Sequence, residues 1–247
     1  MKRLIPTALV CLMGALGCAD PYAACPAGPT RQAVAGSVDA IGGLKRWQSV
    51  DAVSATAVVS LYDKSGKALL SEQQMVIDVM DGTLRASSVQ PRGRWQAKVE
   101  AGRKPEFKAE GSVGQEELEA GLLPALETVL HHVRGPLNLC LFGETPAGSE
   151  VVRVEGTSYL RMALRRPNAQ ALAYYLDPQT YTPRMITAGG DQAGAEGAVS
   201  TLTYTMLPNG LAFPSRIAIV KIGQHVLTGE QPVLTVEFRQ VKVRGGK

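Results

Sequence analysis

The chain has 247 residues, 45% apolar and 19% charged, with 26 Lys and Arg against 22 Asp and Glu for a formal charge of +4. That apolar content supports a core and excludes global disorder, and so mild a charge gives no case for nucleic acid. No apolar run of about 18 or more residues follows the N-terminus, which excludes a bundle of membrane-spanning helices; the length suits one large domain or two small ones.

Met1-Lys2-Arg3 is a short basic start, and Leu4 to Leu16 carries no charge. These are the n- and h-regions of a secretory signal, too short to cross a bilayer as a helix. Ala15-Leu16-Gly17-Cys18 then resembles a bacterial lipobox in which the leucine and the small residue have changed places. On that reading residues 1–17 are a signal peptide and Cys18 accepts diacylglycerol, with further acylation, palmitate in kind, fixing the anchor firmly. The alternative is an ordinary cut after Ala19, with Gly17 and Ala19 as the small residues of the cleavage site. Residues 18–31, with three prolines between Ala19 and Thr30, read as a flexible tether, and 32–247 as the folded domain. Losing Lys2 and Arg3 lowers the charge to +2.

Of four cysteines, Cys11 falls in the signal and Cys18 is the acyl acceptor, leaving Cys25 and Cys140. In an oxidising compartment the two can pair, which in the chain-entropy model stabilises by roughly 4–5 kcal/mol for so long a loop. Alternatively both stay reduced, with Cys140 a small buried apolar residue in Leu137-Asn138-Leu139-Cys140-Leu141.

Gln32 to Trp47 carries Val34, Val38, Ile41 and Leu44 at helical spacing, weakened near its end by Gly42-Gly43. From Val53 the period becomes two: Val53, Ala55, Ala57, Val59 and Leu61 share one face. Asp63-Lys64-Ser65-Gly66 is a turn, Leu70 to Val79 the next strand, and Asp81-Gly82 a hairpin signal. Strands follow near Leu84 to Val89 and Trp95 to Ala101. Gln115 to Val133 is a long amphipathic helix with Leu118, Leu122, Leu126, Val129, Leu130 and Val133 in one stripe, stopped by Gly135-Pro136. Seven more strands run from Val151 to Val243, joined by short turns such as Asp177-Pro178 and Asn209-Gly210, so the sheet is antiparallel. About ten strands against two helices must curl. The expected fold is α+β, mainly β: a curved antiparallel half-barrel whose concave face two helices cover.

The N-terminal helix ending in Ile41-Gly42-Gly43-Leu44, the run Tyr175-Leu176-Asp177-Pro178-Gln179-Thr180-Tyr181-Thr182-Pro183-Arg184, and the later Asn209-Gly210-Leu211-Ala212-Phe213-Pro214-Ser215 together resemble the LolA/LolB-like outer-membrane lipoprotein-sorting superfamily. The resemblance spans roughly Gln32 to Val243. It implies an incomplete barrel capped by helices that holds acyl chains, on the periplasmic face of the bacterial envelope. Cys18 favours an outer-membrane-anchored, receptor-like relative; a cut after Ala19 would give a soluble periplasmic or secreted one. A second implication is an interaction or regulatory module on the same scaffold, like the periplasmic envelope-stress regulators that bind an anti-sigma factor.

No metalloprotease, P-loop, nucleophile-elbow or dinucleotide motif is present, so no catalytic residue and no cofactor is expected. His131 and His132 are helix neighbours about 100° apart, which suits the helix dipole better than a metal. Asp177 reads as a turn former, and Arg165-Arg166-Pro167 as an exposed hairpin tip, with contact to lipid headgroups as the alternative. The residues that would line an acyl cavity are Met75, Ile77, Leu122, Leu126, Leu160, Met162, Leu164, Leu202, Tyr204, Met206 and Phe238; the same residues would serve as ordinary core. Low aromatic content and several methionines leave deformable apolar space suited to acyl chains. The expected partners are therefore lipid or lipoprotein acyl chains, the membrane through the anchor, and another envelope protein in the regulatory case.

Overall fold

The computed structural model describes residues 20–89, 94–110, 115–164, 171–189, 197–222 and 232–245. Cys18, the signal segment and Arg165-Arg166-Pro167 lie outside the described residues.

The N-terminal helical pattern is two helices rather than one: α1 (Pro29–Ala40) and α2 (Leu44–Gln48). Gly42 and Gly43 separate them at φ 112° and 85°, a region open to glycine at little cost. A Cβ on Gly42 would also stand 2.7 Å from Leu211 Cδ2 and 2.8 Å from the Gly210 carbonyl oxygen, so the backbone approach itself demands glycine. Trp47 is buried and its indole N–H donates to the Ile41 carbonyl at 3.1 Å, fastening α2 beneath the end of α1. Helix α1 starts three residues earlier than the apolar spacing predicts, with Pro29 in its first turn, where the missing N–H costs nothing.

The segment expected as a free tether is bound to the body from Asp20 onward. Arg31 donates to the Asp20 carboxylate at 3.0 Å and to the Cys25 carbonyl at 2.9 Å. Cys25 is buried and joined to Cys140 in a disulfide with a Cα separation of 5.4 Å.

Among the described residues twelve strands follow: β1 (Val50–Tyr62), β2 (Ala68–Asp78), β3 (Thr83–Ser88), β4 (Trp95–Glu100), β5 (Glu106–Ala109), β6 (Pro146–Val154), β7 (Thr157–Leu164), β8 (Leu172–Leu176), β9 (Pro183–Gly189), β10 (Gly197–Met206), β11 (Ala212–Ile222) and β12 (Leu234–Gly245). Their order is β5-β4-β3-β2-β1-β12-β11-β10-β9-β8-β7-β6. One meander runs from the centre to the β5 edge. Helix α3 (Gln115–Arg134) and a 3-10 turn (Gly135–Asn138) then carry the chain to the β6 edge. A second meander returns until β12 pairs antiparallel with β1. A sheet this wide accumulates twist and curls. The result is the mainly β half-barrel expected, open between β5 and β6, with helices over its concave face.

Acceptor side chains set the tight turns. Asp63 Oδ1 takes the Ser65 hydroxyl at 2.7 Å and the N–H groups of Ser65 and Lys67 at 2.9 Å. Asp177 Oδ1 takes the N–H groups of Gln179 and Thr180 at 3.0 Å. Both carboxyls are held below their usual range, Asp63 chiefly by the Ser65 hydroxyl and Asp177 chiefly by the Thr180 N–H.

Candidate functional site

Alternation along each strand sends one set of side chains to the concave face. In β1 to β4 these include Val53, Ala55, Ala57, Val59, Met75, Ile77, Leu84, Ala86, Trp95, Ala97 and Val99, all buried. Ile217 of β11 and Val236 and Phe238 of β12 extend the surface. The stripe of α3 meets it directly: Leu122, Leu126, Val129, Leu130 and Val133 belong to the same apolar cluster.

A second cluster fills the other half of the sheet. Ala33 and Val34 of α1, the Cys25–Cys140 disulfide and Leu139 pack on Met162, Leu164, Leu172, Tyr174, Leu176, Ile186 and Leu202 of β7 to β10. Partly buried Tyr22 and Tyr204 touch both clusters.

The residues singled out from sequence therefore divide. Met75, Ile77, Leu122, Leu126 and Phe238 lie in the α3 cluster; Met162, Leu164 and Leu202 lie in the α1 cluster, with half-buried Leu160 against it. Tyr204 sits where the two meet. Its hydroxyl is buried without a hydrogen-bond partner among the described residues, and burial raises its pKa. Met206 departs from the expected set. It is the last residue of β10, past a register shift between Thr203 and Tyr204, and at 65% exposure it belongs to neither cluster.

A polar network that sequence patterns do not reveal holds the C-terminal end of α3. Glu144, in the connection from α3 to β6, contacts His131 Nε2 at 3.1 Å and accepts from the Tyr174 hydroxyl of β8 at 3.0 Å. Asn138 donates its amide N–H to the His131 carbonyl at 3.0 Å. Arg134 is buried, donates from Nε to the Val79 carbonyl at 3.1 Å and lies 3.8 Å from the centroid of the Phe142 ring; burial lowers its pKa. Gly82, at φ 67°, leaves room for that guanidinium: a Cβ there would stand 2.9 Å from Arg134 Nη1. His132 is buried, and its Nδ1–H donates to the Thr128 carbonyl at 2.6 Å. Burial first, then neighbouring His131, pushes its pKa down to about 3. Among the described residues no three His, Cys, Asp or Glu side chains are grouped as metal ligands. The chemistry of the site is apolar contact, edged by a buried polar lock.

No protein-family profile matches the chain, and no curated protein sequence does. Solved structures do. A LolA superfamily protein from Nitrosomonas europaea superposes with a TM-score of 0.50 at 12% identity, over 87% of this chain and 94% of that one. A domain of an outer-membrane lipoprotein-sorting protein from Vibrio parahaemolyticus gives 0.51 at 8% identity, over 87% and 92%. The chain has a LolA-like fold. At such identities the likeness is one of architecture. The LolA-like half-barrel here is built by its own residues, with the α3 cluster and the disulfide-linked α1 cluster side by side.

Proposed function

We propose that the protein is a non-catalytic component of the bacterial cell envelope that takes a lipid or lipoprotein acyl chain between α3 and the concave face of the half-barrel, as carrier, receptor or sensor. The observation that carries this reading is the way α3 covers the sheet. It crosses between the two edge strands and rests on β3 to β5 and β11. Its buried stripe is wholly aliphatic. Apolar contact is non-directional, so an acyl chain can replace the helix against the sheet at modest cost. Met75 and its neighbours fit flexible chains of different length. Binding proceeds by displacement of α3, with no bond made or broken. The fold shared with the Nitrosomonas and Vibrio proteins supports the reading. Cys18, acylated, holds the molecule on the periplasmic face of the outer membrane.

Native mass spectrometry after gentle extraction, with titration of a fluorescent fatty acid, tests this. Co-purifying lipid or saturable uptake is expected. A folded protein with neither would refute it.

One observation favours a second reading. Where α3 meets the sheet, the side chains of Met75, Ile77 and Leu84 below and Leu126 above are 0% exposed, so in this form the face is filled by the protein itself. A scaffold or regulatory module that binds another envelope protein, and carries no lipid, fits such packing. Recovery of a stable protein partner without lipid would put this reading first.

A further inference from the structure

The convex face of the same sheet carries a polar trough of about 410 Å³ over β2 to β5, separate from everything described so far. Its polar walls are Gln74, Arg85, Ser87, Gln96, Lys98, Glu106 and Lys108. Arg85 and Lys98 are direct cross-strand partners between β3 and β4. Like charges so placed repel, and a sheet does not gain by the arrangement on its own. Lys98 is offset by its ion pair with Glu100 and by Glu106, its partner on β5. Arg85 and Lys108 are exposed and form no ion pair among the described residues. The trough's lining thus sets Arg85, Lys98 and Lys108 against one carboxylate, Glu106, and leaves Arg85 and Lys108 for an anion, with amide and hydroxyl donors between them.

Beside it lie bare apolar side chains. Leu70, on the same face of β2 with exposed Glu72 between it and the trough, is 66% exposed; Val89, held to β2 by its N–H to the Glu72 carbonyl, is 44% exposed. Cations next to exposed aliphatic groups match a bilayer interface, where phosphates overlie the first methylenes of the acyl region. A site for a free anion has no use for the leucine.

We propose that this convex face rests on a membrane, with the phosphate of an anionic phospholipid headgroup seated in the trough between Arg85, Lys98 and Lys108. The contact is separate from the acyl anchor and does not rest on acyl-chain binding at the concave face, which can fail without affecting it.

The test uses the protein with Cys18→Ala, so that no anchor contributes, and co-sedimentation with vesicles of phosphatidylcholine alone or with phosphatidylglycerol added. Binding is expected only to the anionic vesicles, weakening with salt as screened charge does. Arg85→Gln and Lys108→Gln should each weaken it roughly fivefold, the scale for one cation near an anionic surface. Glu106→Gln, which removes a carboxylate from the trough and leaves the strand intact, should strengthen it. Equal binding to neutral vesicles, or binding unchanged in the Arg85→Gln/Lys108→Gln double variant, would overturn the proposal. Displacement from vesicles by soluble glycerophosphate at the concentration of the lipid phosphate would mark a free-anion site and overturn it as well.

Discussion

The two halves of the sheet are covered in different ways. Over β7 to β10, α1 is part of a unit closed covalently: Cys25 and Cys140 link the segment before α1 to the chain just after α3. Over β1 to β5, with β11 and β12, α3 is held from Leu122 to Val133 by aliphatic contact. Among the described residues its polar fastenings gather at its C-terminal end, at Arg134 and the His131–Glu144–Tyr174 group. A cross-link resists displacement whatever enters; an aliphatic stripe gives way to anything equally apolar. On the proposed function, the half under α3 is the one that opens, and the end where its polar bonds lie is the one that stays fastened.

Four experiments break or sharpen that contrast. The largest effect should come from the covalent half: Cys25→Ser/Cys140→Ser, or reduction, should lower unfolding stability by roughly 4 kcal/mol in the chain-entropy model, read by urea denaturation with and without reductant. Leu126→Ala, at a fully buried position of α3, should cost about 3 kcal/mol. Fluorescent fatty-acid uptake should weaken without being lost, because Leu126 is one of several aliphatic side chains lining the proposed space; uptake unchanged in a folded variant would mean that α3 takes no part in binding.

The polar fastening has its own pH signature. His132 binds a proton near its ordinary pKa of 6.5 when unfolded and only near about 3 when folded. Its contribution is complete above that ordinary value and is lost as the pH falls below it, at up to about 1.4 kcal/mol per pH unit. His132→Phe should flatten the stability profile between about pH 6.5 and 5, before the carboxylates titrate. An unchanged slope would remove His132 from the account. The smallest effect is expected at Met206: Met206→Ser should change stability by less than about 0.5 kcal/mol and leave uptake untouched, since its side chain belongs to neither half.

Periodicity made most of the architecture legible. Alternation in Val53 to Leu61 and the Leu122–Leu126–Val129 stripe name the two surfaces that meet. What stayed hidden has identifiable causes. Strand β5 is only Glu106-Phe107-Lys108-Ala109, too short and too charged to signal itself, and its pairing with β4 defines it. Gly42-Gly43 looks like a weak helix end, but its second role, yielding to Leu211, depends on a contact far along the chain. The Glu144 to Tyr174 bond joins residues 30 apart, and no local pattern announces such a pair. Cys25 and Cys140 left two outcomes open for the same reason: spacing in sequence does not say which side chains meet in space.

The central claim, that an acyl chain enters beneath α3, is tested most directly by photo-crosslinking with a diazirine-bearing fatty acid followed by peptide mapping. The account predicts label on the peptides that hold Met75, Ile77, Leu122 and Leu126, reduced by competing unlabelled fatty acid. Label confined to the convex face around Leu70 and Val89, or no competable label at all, would contradict it.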